Sequence, residues 1–257
     1  MKSLKQTYIE TYGPLLNKFV RLIDQLQTNN MPEPHLPVIG LNYENADHKV
    51  LFMGWETRGA KGLKEFINVA KLNPELALFW RKEDFDSFDF INWRNNFGKD
   101  FWSFNLKFLS KLYNIPDWKS FYKEPSSYEK ILGGFAWANC NSLERYEVTA
   151  KKQGVHYDDW LKISEASKIF DNPPLLFNTL KPNIIVLMHW NQDKEKLFEG
   201  LFIETQTKIA LDYLWYYKIK DPNTHLFWIK HPQRLNFERV SFEYVINIIV
   251  ETYFKNS

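Results

Sequence analysis

Two short stretches of this 257-residue chain hold the side chains best suited to chemistry. Gly54-Trp55-Glu56-Thr57-Arg58-Gly59 comes directly after the apolar run Val50-Leu51-Phe52-Met53. Lys230-His231-Pro232-Gln233-Arg234-Leu235 comes directly after Leu226-Phe227-Trp228-Ile229. Glu56 can orient a water molecule and balance a developing cation. His231, between the cations Lys230 and Arg234, can stabilise a developing anion as imidazole or imidazolium. Held across one cleft, the two make a water-activating, anion-stabilising site. Asn139, at the end of another apolar run, offers both a donor and an acceptor. Capping a turn is an equally common use of Asn, and Glu56 also suits a helix entry, where the macrodipole favours an acid.

The elements that must position these side chains are legible in outline. A buried parallel strand delivers the residues after it to the carboxyl edge of its sheet, where open α/β folds build their sites. Four apolar runs read as such strands: Lys49–Met53, Ile131–Cys140, Ile184–Met188 and His225–Ile229. Helical periodicity marks 4–28, with an expected interruption at Gly13-Pro14, then Gly59–Leu72, Phe97–Tyr113 and Ser164–Leu180, the last interrupted near Asn172-Pro173-Pro174. A short helix from Gln192 and a terminal amphipathic helix over Phe237–Phe254 complete the pattern. The alternation predicts an α/β fold, three-layer α/β/α with a central, mostly parallel four-stranded sheet. One domain spanning 1–257 is expected, with an N-terminal helical segment (about 4–28) and an aromatic-rich insertion (about 74–130).

Composition narrows the classes. A 44% hydrophobic chain of this length can bury a large core. A formal charge of +2 demands no nucleic acid globally, so any basic footprint must be local. A single cysteine, Cys140, rules out an internal disulfide framework and fits a reducing cytoplasm; a buried, inert thiol is expected there. His35, His48, His156 and His225 show no ligand spacing, so neither metal nor cofactor is expected. No run reaches the roughly 18 apolar residues of a membrane span, and the N-terminus lacks a signal-peptide core. Ten Trp are mostly core filling, with Trp93, Phe97 and Trp102 as candidates to stack on a planar ligand.

The ordered set of motifs resembles the uracil-DNA glycosylase superfamily over roughly residues 48–250. Gly54-Trp55-Glu56-Thr57 looks like the family's water-activating motif, Asn139 falls where its base-reading asparagine stands, and His231-Pro232-Gln233-Arg234-Leu235 resembles its His-Pro loop. The resemblance implies a monofunctional DNA glycosylase: Glu56 orients water, His231 steadies the departing base, and Gly54, Trp55, Thr57 and Asn139 form the base pocket. Leu235 would wedge into the duplex to help offset the few kcal/mol of flipping a base out. Arg58, Lys61, Lys64, Lys230 and Arg234 would contact phosphates. Base release without strand cutting is expected, since no lysine is placed as a Schiff-base nucleophile.

The departures bear on the substrate. Arg58 stands where classical uracil enzymes carry a methyl-excluding tyrosine, Trp55 replaces a small polar residue, and Arg234 replaces a proline. A damaged or modified base, a bulky modified cytosine of phage DNA among them, fits at least as well as uracil. DNA is the expected partner of a monomeric, cytoplasmic protein. Two rivals stand beside this reading: a non-catalytic DNA-binding protein with the same fold, and a hydrolase of small nucleosides or metabolites. Leu235 suits core packing as well as a wedge.

Overall fold

A computed structural model describes residues 2–24, 26, 31–54, 62–80, 98–143, 145–147, 150–189, 197–210 and 213–257. In chain order its elements are α1 (Leu4–Ile23), β1 (Val38–Ile39), β2 (Val50–Gly54), α2 (Leu63–Leu72), α3 (Pro74–Leu78), α4 (Lys99–Leu112), α5 (Ser120–Lys123), α6 (Glu129–Leu132), β3 (Phe135–Asn139), α7 (Tyr157–Ser167), α8 (Pro173–Leu180), β4 (Ile184–Met188), β5 (Ile203–Ala210), β6 (Leu214–Ile219), β7 (Thr224–Ile229), α9 (Pro232–Phe237) and α10 (Phe242–Asn256). Two compact units arise, each from three separate stretches: Met1–Val38, Trp55–Glu83 and Ala138–Leu180 form the first, and Ile39–Gly54, Asp84–Trp137 and Lys181–Ser257 the second.

The first unit is built around α1, which packs on α2, α3, α7 and α8. Its buried residues, Tyr8, Tyr12, Leu16, Phe19 and Ile23, recur every three or four positions, the stripe a helix needs to face a core. The break expected at Gly13-Pro14 is absent: α1 runs through it. Pro14 lies on the exposed side, where water can bond the carbonyl that the missing N–H leaves free. The interruption at 171–172 is present, because Asn172 accepts from the Leu175 N–H and starts α8 with Pro173 in its first turn.

The second unit holds the sheet, save Val38 of β1 and the last two residues of β3. Its strand order is β1-β3-β2-β4-β7-β6-β5. β2, β4 and β7 run parallel, with Val50 beside Ile184 and Ile184 beside His225; β6 and β5 are antiparallel additions. The expectation of a four-stranded sheet is thereby corrected to seven strands in a mixed sheet. β5 and β6 escape the apolar-run criterion for a physical reason. Thr205, Gln206, Thr207 and Lys208 of the edge strand β5 stay in water, and β6 interleaves Lys218 among aromatics.

Every residue of β2, β4 and β7 is buried, as strands covered on both faces require. On one face Phe108 of α4 meets Phe52 of β2 edge-on at 5.7 Å, and Tyr253 of α10 meets His225 of β7 at 5.1 Å. The terminal helix starts later than the expected Phe237, at Phe242, because Pro232–Phe237 forms a separate helix; Arg239 at φ 59° lies in the break and Ser241 caps α10. β3 is shorter than expected, because Glu129–Leu132 forms α6. The backbone comes very close beyond that helix: a Cβ on Gly40 would stand 2.3 Å from the Gly133 carbonyl oxygen, so no side chain fits there. None of the described helices is long and apolar enough to cross a membrane.

Candidate functional site

β7 ends at Ile229, and α9 opens at Pro232, whose ring pre-sets the first helical φ. His231, between them, caps the helix: its Nδ1 accepts the Gln233 backbone N–H at 3.3 Å. An accepting Nδ1 carries no proton, so hydrogen-bond logic puts the proton of the neutral ring on Nε2, as a donor directed away from the helix. Phe101, in the first turn of α4, lies parallel to the imidazole, with centroids 6.2 Å apart and planes 14° apart. Trp102 and Trp137 complete the cluster: Phe101 meets Trp102 at 5.2 Å and Trp137 at 6.2 Å, and the two indoles pack edge-on at 5.3 Å. An imidazole stacked on an aromatic cluster combines a polar ring nitrogen with flat apolar surface, the pairing that planar ligands use.

A second histidine joins this edge. His189 immediately follows β4, whose Met188 is registered with Ile229 of β7. Burial, and next the repulsion from a protonated His231 nearby, push its pKa down to about 4. The ring is therefore neutral at physiological pH. The sequence carries the signal, since Ile184–Met188 ends in a histidine just as Leu226–Ile229 nearly does, but the residue reads equally as core.

The basic rim is less free than expected. Glu238 takes Lys230 at 2.8 Å and Arg234 at 2.6 Å, and the two hydrogen bonds, Lys230 first, hold its carboxyl below the usual range. The Arg234 guanidinium also lies over Phe237 at 5.1 Å. Two cations therefore share one anion, a neutralisation invisible to short-range motif reading because Glu238 stands a full turn beyond Arg234.

Leu235 requires a correction. It is 0% exposed, because it shares the inner side of α9 with Pro232, so it is core rather than wedge. The exposed apolar side chain of that helix is Phe237, at 76%.

Gly54 is the buried last residue of β2. Asn139 is half-buried at the end of β3, within the first unit. Cys140 beside it is buried, and burial, with Asp171 adding, raises its thiol to about 12, an inert state. Lys64 is exposed on α2. Trp55, Glu56, Thr57, Arg58, Gly59, Lys61, Trp93, Phe97 and Gln192 lie outside the described residues. Of the stacking candidates Trp102 is described, and it is buried in the cluster. Among the described residues no group of three or more His, Cys, Asp or Glu could hold a metal ion. Comparison with known proteins found no matching family model, no matching curated protein and no matching solved structure.

Proposed function

We propose that this chain is a monofunctional DNA glycosylase that hydrolyses the N-glycosidic bond of a damaged or modified base and leaves an abasic site. The observation that carries the reading is His231, a helix-capping imidazole that lies parallel to Phe101, which itself packs on Trp102 and Trp137. In the proposed reaction the C1′–N bond breaks and the base departs with its electron pair, stabilised by a hydrogen bond from Nε2. Water adds at C1′ and loses a proton to Glu56, whose role rests on the Gly54-Trp55-Glu56-Thr57 motif alone. Asn139 would help read the base. The single, buried cysteine suits a reducing compartment, so the cytoplasm is the proposed location, with a monomer as the proposed state.

DNAs carrying uracil, 5-hydroxymethylcytosine or alkylated bases, scored for alkali-labile sites, test the activity. Glu56→Gln is expected to lower base release by about 100-fold or more while leaving DNA binding intact. Base release undiminished in that variant would remove Glu56 from the mechanism; intact DNA in every arm would remove the activity.

One observation favours a second reading. Because Glu238 neutralises part of the rim, hydrolysis of free nucleosides places less demand on phosphate contacts than DNA does. Substrate binding that falls steeply between low and moderate salt supports the DNA reading, and salt-insensitive binding supports the nucleoside one.

A further inference from the structure

Asn105 sits on α4 one turn after Phe101 and one turn before Phe108, so the three share a face at i, i+4 and i+7. The two flanking residues fix where that face points. Phe101 lies along the His231 ring, and Phe108 lies edge-on to Phe52, two residues before Gly54 closes β2. Asn105 therefore lies on the helix face between the residue that meets His231 and the residue that meets Phe52, on the helix that also carries Trp102. It is 0% exposed, and among the described residues neither its Nδ2 nor its Oδ1 has a hydrogen-bond partner.

A buried carboxamide with both ends unbonded is costly, and a leucine of the same shape would be cheaper to bury. The polar group has a use only if something else completes its bonds. We infer that Asn105 is a specificity residue of the His231 site, binding a planar heterocycle that carries a donor and an acceptor side by side on one edge, as pyrimidines do. Its N–H would meet a ring carbonyl or ring nitrogen, and its carbonyl would meet a ring or exocyclic N–H. Phe101 and Trp102 would cover the ring face, leaving Nε2 of His231 to the side where charge develops. This assignment rests on the base-excision reading for its substrate, but the binding step can be measured without it.

The test uses Asn105→Leu and Asn105→Asp in the full chain, with free uracil and free cytosine titrated against tryptophan fluorescence, since Trp102 and Trp137 flank the site. Wild type is expected to be quenched by at least one of the two. Both variants should bind that pyrimidine about 10- to 100-fold more weakly, the loss expected for a two-point edge contact, with thermal stability equal or higher in Asn105→Leu. Should the leucine variant fail to fold, the near-isosteric Asn105→Asp decides. Unchanged affinity in a folded variant, or a wild type that neither pyrimidine quenches, would overturn the assignment. Quenching that the variants weaken, without release of any base from DNA, would uphold Asn105 and refute the base-excision reading, so the two failures are separable.

Discussion

The Nδ1 of His231 caps α9, and under the proposed function its Nε2 serves the chemistry. The cap needs only an acceptor at Nδ1, which an asparagine also supplies, whereas the donor to a departing base needs the imidazole. His231→Asn should stay within about 0.5 kcal/mol of wild-type stability in urea unfolding and lose base release by about 100- to 1,000-fold. His231→Ala should lose the same activity and about 1 kcal/mol of stability besides. Equal activity in the Asn variant would return His231 to a capping role alone. The shared carboxylate of Glu238 gives a prediction of opposite sign. Glu238→Gln removes the anion from between Lys230 and Arg234, so DNA affinity should rise and the slope of log K against log salt should steepen by about 1 to 2. An unchanged slope would place those cations away from phosphate.

Among the elements, those whose burial is uniform are legible from sequence, and those with mixed surroundings are not. β4 forms over the five residues Ile184–Met188 that its apolar run marks, because a strand covered on both faces has no polar positions to blur it. β5 is polar along its length and β6 alternates, so neither resembles the buried run that periodicity detects. The site divides in the same way. His231 stands out because a strand and a proline bracket it, whereas the residues beside it, Phe101 and His189, come from α4 and the end of β4, far away in sequence. Leu235 misleads because an apolar residue after a loop motif reads as rim or core until its helix face is known. The junction of β1 with the turn before β3 carries its own test. The Asn42 N–H donates to the Gly133 carbonyl at 2.9 Å, and a Cβ on Gly40 would collide with that same carbonyl, a backbone atom that cannot rotate away. Gly40→Ala should cost about 3 kcal/mol or more in thermal unfolding, the upper end of overpacking penalties.

For the whole molecule, pH sets a limit on stability. His225 is 4% exposed under α10; the Lys218 ammonium donates to its Nε2 at 2.6 Å, and its Nδ1–H donates to the Tyr216 hydroxyl at 3.0 Å. That arrangement needs a neutral ring, and burial, followed by the charge of Lys218, lowers its pKa from 6.5 to about 4. His189 shifts in the same direction to about 4. Unfolded, both rings take up protons near pH 6.5; folded, they do not until about pH 4. The stability they permit is thus complete above about pH 7 and is lost as the pH falls from 6.5 through 4. Urea midpoints measured across that interval should fall in wild type and fall less in His225→Gln. Equal slopes would mean that the buried ring is not the source.

The parallel run has a further consequence, for the chain as it is made. β2 finds its registered neighbour β4 across 134 positions, the separation of Lys49 and Asn183, whose side-chain amide oxygen receives the Lys49 N–H at the strand ends. At ribosomal rates of about 5–20 residues per second, that separation is roughly 7 to 27 s of synthesis. Throughout that time five consecutive residues of the eventual core, Val50–Gly54, have left the tunnel without β4 beside them. A nascent chain halted before Thr224 still lacks β7, the other neighbour of β4, and should be held by chaperones or aggregate rather than assemble.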